Sequence, residues 1–199
     1  MNQNNKLTIP DLISIGVFTA LYFVLVTIAT FATAAILPGL SYVLLPAASA
    51  LISGCVYMLM AARVQKFGGI TIMGVVMGLF FFSSGHFVLS FAANVVCGVI
   101  ADLIGLASGY KKKSMLLVSY IVFSYGLTGP VLPMWFMKDN YVQSLIERGK
   151  DQAYIDGVFE YISMGTFGIC VVSILVCAVI GGIFGQKMIK KHFAKAGIV

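Results

Sequence analysis

The sequence predicts an all-α polytopic membrane protein, one domain of six transmembrane helices with both termini on the cytoplasmic side. Three observations predict it. Of the 199 residues, 60% are hydrophobic and 10% charged, against about 45–50% and about 25% in a soluble domain. Too few polar groups are available to cover the apolar surface, so lipid must be the solvent for most of it. The apolar residues fall into runs long enough to cross a bilayer, and Lys and Arg cluster in every second connection.

A helix needs roughly 20 apolar residues to cross the hydrocarbon. The first two spans are predicted over residues 10–35 and 40–62, separated by the helix-breaking ILPGLS. Residues 68–107 are about twice the length of one span, and Ser83-Ser84-Gly85-His86 is the polar break near their middle. That break divides them into spans at 68–84 and 86–107. A fifth span is expected over 113–137 and a sixth over 163–186.

Orientation follows from the positive-inside rule. An even number of spans places ten basic residues on one side: Lys6, Arg63, Lys66, Lys111, Lys112, Lys113, Lys187, Lys190, Lys191 and Lys195. The other side keeps three, Lys138, Arg148 and Lys150. The ten mark the cytoplasm. The outer face then carries the ILPGLS turn, the SSGH turn and a segment over 138–162 with two short amphipathic stretches. This segment reads either as an interfacial anchor or as a lid over an outward-open site.

Polar residues inside spans are costly in lipid, so each asks for a role. His86 lies at the outer mouth, either as a polar turn residue or as a ligand-binding group. Asn94 follows two turns inward with Ser90 between them, on one broad helix face that either lines a cavity or packs against a neighbour. Asp102, near the cytoplasmic end of the same span, is expected to form a structural ion pair with Lys111, Lys112 or Lys113, with proton coupling as the alternative. Pro130 and Pro133 deform the fifth span. Around them Tyr125, Met134, Trp135 and Met137 form a soft aromatic wall, with Lys138, Asp139 and Asn140 as polar contacts at its outer rim, a mixture suited to a flat, partly polar small molecule, and Tyr141 of the following segment is a further candidate for binding it. Small residues recur at four-residue spacing, as in Gly16 and Ala20, Gly74 and Gly78, and Gly181 and Gly185, and allow close helix contact.

Other features exclude function classes. The four cysteines lie in apolar runs without CxxC spacing and read as small hydrophobes. No metal site or cofactor is expected. The chain has no GxxxxGK[ST] phosphate loop, no HExxH and no GxSxG elbow, so neither ATP hydrolysis nor enzyme activity is expected. The net charge of +6 is mostly the positive-inside signal and implies no nucleic acid.

The stretches KFGGITIMGVVMGLFFFSSGH, CGVIADLIG, GYKKKS and YIVFSYGLTGPVLPMWFMKDNY resemble the Trep_Strep (MptD) family, substrate-binding S components of energy-coupling factor (ECF) transporters. The resemblance runs through spans two to five, more than half the chain. It implies a subunit of the bacterial plasma membrane that captures a micronutrient on the outer side. The subunit then docks on a transmembrane coupling subunit carried by two cytosolic ATPases, and topples so that its site faces inward. In that larger group a ladder of small residues on the first span contacts the coupling subunit. Here Gly16 and Ala20 match, while Leu12 stands where another small residue belongs. The resemblance carries over no substrate motif, so the expected substrate is an unspecified micronutrient such as a vitamin, with haem, to which some relatives are linked, as a named alternative. For haem, His86 is the expected iron ligand, with Tyr125 or a methionine opposite. For a vitamin, Trp135 and Tyr125 stack on a ring while Asn94 and His86 read its polar edge. Two other readings are an autonomous ion-coupled carrier and a membrane enzyme subunit.

Overall fold

A computed structural model describes residues 6–189. They form α1 (Ile9–Ile36), α2 (Ser41–Val64), α3 (Gly69–Ser83), α4 (Val88–Ala107), α5 (Lys113–Tyr125), α6 (Pro133–Phe136), α7 (Lys138–Glu147), α8 (Gln152–Phe159) and α9 (Met164–Met188), with 3-10 turns at Pro38–Leu40 and Gly126–Thr128. No strand occurs among the described residues.

Four helices, α1, α2, α4 and α9, are long and apolar enough to cross a membrane. The other two expected spans are shorter. With 15 residues α3 rises about 22 Å, and with 13 residues α5 rises about 20 Å, against a hydrocarbon core of about 30 Å. Within the span expected over 113–137, where Pro130 and Pro133 were to deform the helix, the helix stops early: α5 ends at Tyr125, a 3-10 turn and an irregular stretch follow, and Pro133 opens the one-turn α6. The break begins seven residues ahead of Pro133, where Gly126 and Gly129 press on α4. A Cβ on Gly129 would lie 2.7 Å from Ser90 Cα, and one on Gly126 would lie 3.2 Å from Asn94 Cα.

Each helix end has a local cause. Thr8 opens α1, its backbone N–H and hydroxyl both donating to Asp11 Oδ2 at 2.8 and 2.6 Å, and the same oxygen takes the Lys66 ammonium at 2.6 Å. Ser163 opens α9 by a reciprocal cap: Thr166 N donates to Ser163 Oγ at 3.2 Å, and Ser163 N to Thr166 Oγ1 at 2.9 Å. Gln65, with φ +50°, closes α2 in the left-handed conformation.

The cap of α3 corrects the expectation for Asp102. Its carboxylate is fully buried and meets none of the three lysines. Oδ2 accepts from the N–H groups of Gly68 and Thr71 at 2.8 and 2.9 Å and from the Thr71 hydroxyl at 2.8 Å. Oδ1 accepts from the Tyr110 hydroxyl at 2.5 Å. A residue of α4 thus supplies the acceptor that the first turn of α3 needs, and its negative charge complements the positive end of that helix. Lysines held in water could not offset burial of the carboxylate as well as these donors do.

The helices meet through small residues. At the α2–α9 contact, a Cβ on Gly181 would lie 2.5 Å from the carbonyl oxygens of Ala50 and Leu51, and one on Gly185 would lie 2.6 Å from Gly54 O. At the α3–α4 contact, a Cβ on Gly74 would lie 2.7 Å from Asn94 O. Lipid supplies no hydrophobic drive between helices, so such backbone contact, with its dispersion and shape fit, holds the bundle. A polar chain reinforces it: Tyr57 donates to Ser119 Oγ at 2.7 Å, because Ser119 commits its proton to Ala101 O at 2.6 Å. Tyr120 donates to Ala50 O at 2.5 Å. Outside, Val17, Val24 and Ile28 of α1 and Val172, Val176 and Ile180 of α9 are exposed. That apolar shell suits lipid.

The bundle has two distinct ends. At one end lie the Asp11–Lys66 pair, the Asp102–Tyr110 bond and a bond from Gln186 Nε2 to Lys113 O at 2.8 Å. At the other end Trp135 Nε1 donates to Ser163 O at 2.9 Å, the hydroxyls of Tyr42 and Tyr154 meet at 2.7 Å, and Arg148 donates to Gly85 O. Most basic residues named for the cytoplasmic side belong to the first end. Lys190, Lys191 and Lys195 lie outside the described residues.

Candidate functional site

His86 follows the turn that joins α3 to α4, where Gly85 adopts φ +83°, a conformation glycine takes without a Cβ penalty. The turn folds the ring back onto α3. Nδ1 lies 3.1 Å from Phe81 O, and the ring packs edge-on against Phe81 at 5.6 Å. A carbonyl only accepts, so Nδ1 carries the proton and Nε2 of the neutral ring offers a lone pair. Burial lowers the imidazole pKa below its usual 6.5, and the Arg148 guanidinium adds to the shift against the opposing Phe81 bond.

Two cavities meet at this residue. One, of about 360 Å³, lies between α1, the end of α3 and the Pro130–Val131 stretch; Phe23, Thr27, Thr30, Phe80, Ser84 and His86 contribute to its wall. The second, of about 440 Å³, lies on the α7 side and is bounded by Phe87, Ser144, Glu147 and Arg148. Both volumes fall in the range of about 300–1,000 Å³ usual for small-molecule sites.

The remaining expected site residues divide into two groups. Asn94 is 2% exposed; Nδ2 donates to Ser90 O one turn back at 2.8 Å, and Oδ1 would stand 3.1 Å from a Cβ on Gly126. It packs α4 against the Gly126–Thr128 turn and does not share the His86 cavity. Tyr125 donates to Val171 O at 3.0 Å and packs with Trp135 around Val43, Cys170 and Ile174. Trp135 bonds Ser163 O and lies 5.6 Å from the Phe167 ring. The Lys138 ammonium sits 4.9 Å over the Phe159 ring. Tyr141 lies between Phe87 and Phe159, each at 6.1 Å between centroids, and burial pushes its phenol up to about 12. These side chains join the 138–162 segment to the bundle and to itself. They do not converge with His86 on one hollow.

Three residues of the His86 region were not singled out by sequence reasoning. Thr27 and Thr30 face the 360 Å³ cavity, and their signal was hydroxyls three residues apart in an otherwise apolar run. Arg148 reaches from the end of α7 to the Gly85 carbonyl and fastens the segment to the α3–α4 turn. Its signal was a lone guanidinium in the outer segment.

Gly16 and Ala20 are exposed on α1. They line a shallow groove of about 280 Å³ with Leu12, Phe23, Ile72 and Val76, and a Cβ on Gly16 would meet nothing within 4 Å.

Residues 9–195 match a family described as hypothetical bacterial integral membrane protein (Trep_Strep). The chain belongs to the Trep_Strep family. It is an integral membrane protein with apolar membrane-crossing helices. No curated protein matches it, and no solved structure does.

Proposed function

We propose that this Trep_Strep protein is the substrate-binding S component of an ECF-type importer in the bacterial plasma membrane. The chain crosses the bilayer six times with both termini in the cytoplasm, α3 and the broken fifth segment completing the six. The observation that carries the reading is the 360 Å³ cavity beside His86 at the end opposite the basic turns. A micronutrient enters that cavity from outside. The α7–α8 segment, tied to the cavity rim by Arg148, closes over it.

The chain has no phosphate-binding loop, so energy comes from two cytosolic ATPases through a transmembrane coupling subunit. The groove at Gly16 and Ala20 supports docking there, because no side chain of the bundle fills it. The protein performs no covalent chemistry in this reading.

The test is affinity purification of the tagged full chain from its native membrane, followed by ATP-dependent uptake in proteoliposomes. Recovery of a coupling subunit with two ATPases, and loss of recovery on Ala20→Trp, is expected. Transport by the purified chain alone in vesicles would instead identify an autonomous carrier. Labelling of Lys111–Lys113 by impermeant reagents from outside intact cells would overturn the orientation.

A further inference from the structure

We propose that the cavity beside His86 selects an uncharged molecule whose polar groups are hydrogen-bond donors. The inference rests on the reading above only in treating that molecule as transported cargo. Four polar side chains reach the cavity wall: Thr27, Thr30, Ser84 and His86. Each directs its proton to a carbonyl of its own helix or turn. Thr27 donates to Phe23 O at 3.0 Å, Thr30 to Val26 O at 2.9 Å and Ser84 to Phe80 O at 2.8 Å. His86 Nδ1 takes Phe81 O. What remains are lone pairs on three hydroxyl oxygens and on Nε2.

A wall of acceptors is matched by N–H or O–H groups. An acceptor-only ligand would have to rotate the hydroxyls off their carbonyls and give up those side-chain bonds, although the carbonyls keep their backbone N–H partners. Charge is selected against as well, since the described residues of the lining include no Lys, Arg, Asp or Glu. Arg148, on the α7 side, lines the other cavity and is bound to Gly85 O. A dicarboxylate porphyrin such as haem would bring two anions to a wall without a cation, which low-polarity surroundings penalise heavily. The apolar remainder, with Phe23, Phe80, Phe81 and Pro130, fits a flat ring.

Three matched probes test this on the purified full chain in nanodiscs: aniline, N,N-dimethylaniline and benzoate, titrated by ligand-observed NMR at pH 7.5. Aniline is neutral and offers two N–H donors, the dimethyl compound offers none, and benzoate is an anion. Aniline is expected to bind at least about tenfold tighter than either. Thr27→Val and Thr30→Val keep the shape and remove an acceptor, so each should weaken aniline about two- to tenfold and leave N,N-dimethylaniline unchanged. Equal or tighter binding of benzoate or N,N-dimethylaniline overturns the proposal, as does absence of aniline binding or its indifference to both substitutions. Should a variant fail to fold, the wild-type ranking of the three probes still decides. Donor selectivity in a chain that captures no coupling subunit would sink the importer reading and leave this one standing. Capture without selectivity would do the reverse.

Discussion

Replacing Gly181 by alanine should force α9 away from α2. The added methyl would lie 2.5 Å from the carbonyl oxygens of Ala50 and Leu51, whereas ordinary contact begins near 3.4 Å, so the helices must part by about 0.9 Å along that direction. Both opposing atoms are backbone, and neither can swing aside. Ala50 O also accepts the Tyr120 hydroxyl at 2.5 Å, so displacing α2 strains a buried bond to α5. Overpacking in a filled interior costs about 1–3 kcal/mol, and two backbone clashes place this change near the upper end. At about 2–4 °C per kcal/mol for a chain of this size, Tm should fall by about 4–12 °C in a detergent melt followed by circular dichroism. Gly168→Ala is the control on the same helix. A Cβ there meets nothing within 4 Å, so the better helix former should raise stability by up to about 1 kcal/mol. A Gly181→Ala protein melting within about 1 °C of wild type, or both substitutions shifting Tm equally, would refute the close-contact argument.

Other perturbations probe the capping carboxylate, the α7–α8 segment and the imidazole. Asp102→Ala leaves two N–H groups and the Thr71 hydroxyl without their acceptor and should cost about 3–5 kcal/mol, read as loss of monodisperse protein. Tyr110→Phe, which removes a single bond to that carboxylate, should cost about 1.5–3 kcal/mol; a silent Tyr110→Phe melt would count against the cap. Arg148→Ala releases α7 from Gly85, so a Ser84→Cys reporter should react faster with a maleimide than in the Arg148 background, and equal rates would rule out the latch. Burial depresses the His86 pKa below 6.5, so on acidification the unfolded chain protonates first. Stability is full above about pH 6.5 and declines as pH falls through the folded value; His86→Gln should flatten that decline, and superimposable Tm profiles would argue against it.

Much of the architecture was legible because lipid imposes simple rules. The runs of α1, α2, α4 and α9 announced themselves by length, and Gly74, Gly78, Gly181 and Gly185 by spacing, since only small residues let backbones touch. The fifth segment was harder. Its prolines were visible, but α5 stops at Tyr125 because Gly126 and Gly129 nestle against α4, a contact between distant stretches that no local pattern encodes. Asp102 went astray for a related reason: lysines close in sequence drew attention from backbone donors 31 and 34 residues away. Asn94 shares a helix face with Ser90 as expected, yet its amide bonds the Ser90 carbonyl and the face is packed. His86 lines two cavities, while Trp135, Lys138 and Tyr141 hold the segment beside it, because an aromatic and basic composition suits an anchor as well as a binding wall.

Trp135 is the only tryptophan in the chain, and its indole N–H is bonded to Ser163 O where the α7–α8 segment rejoins α9. Indole emission shifts with hydrogen bonding and local polarity, so the molecule contains its own optical gauge at the end of that segment. Any swing of α7 and α8 that breaks this bond will be written in the colour of the protein's fluorescence, without a label and against no background from a second indole.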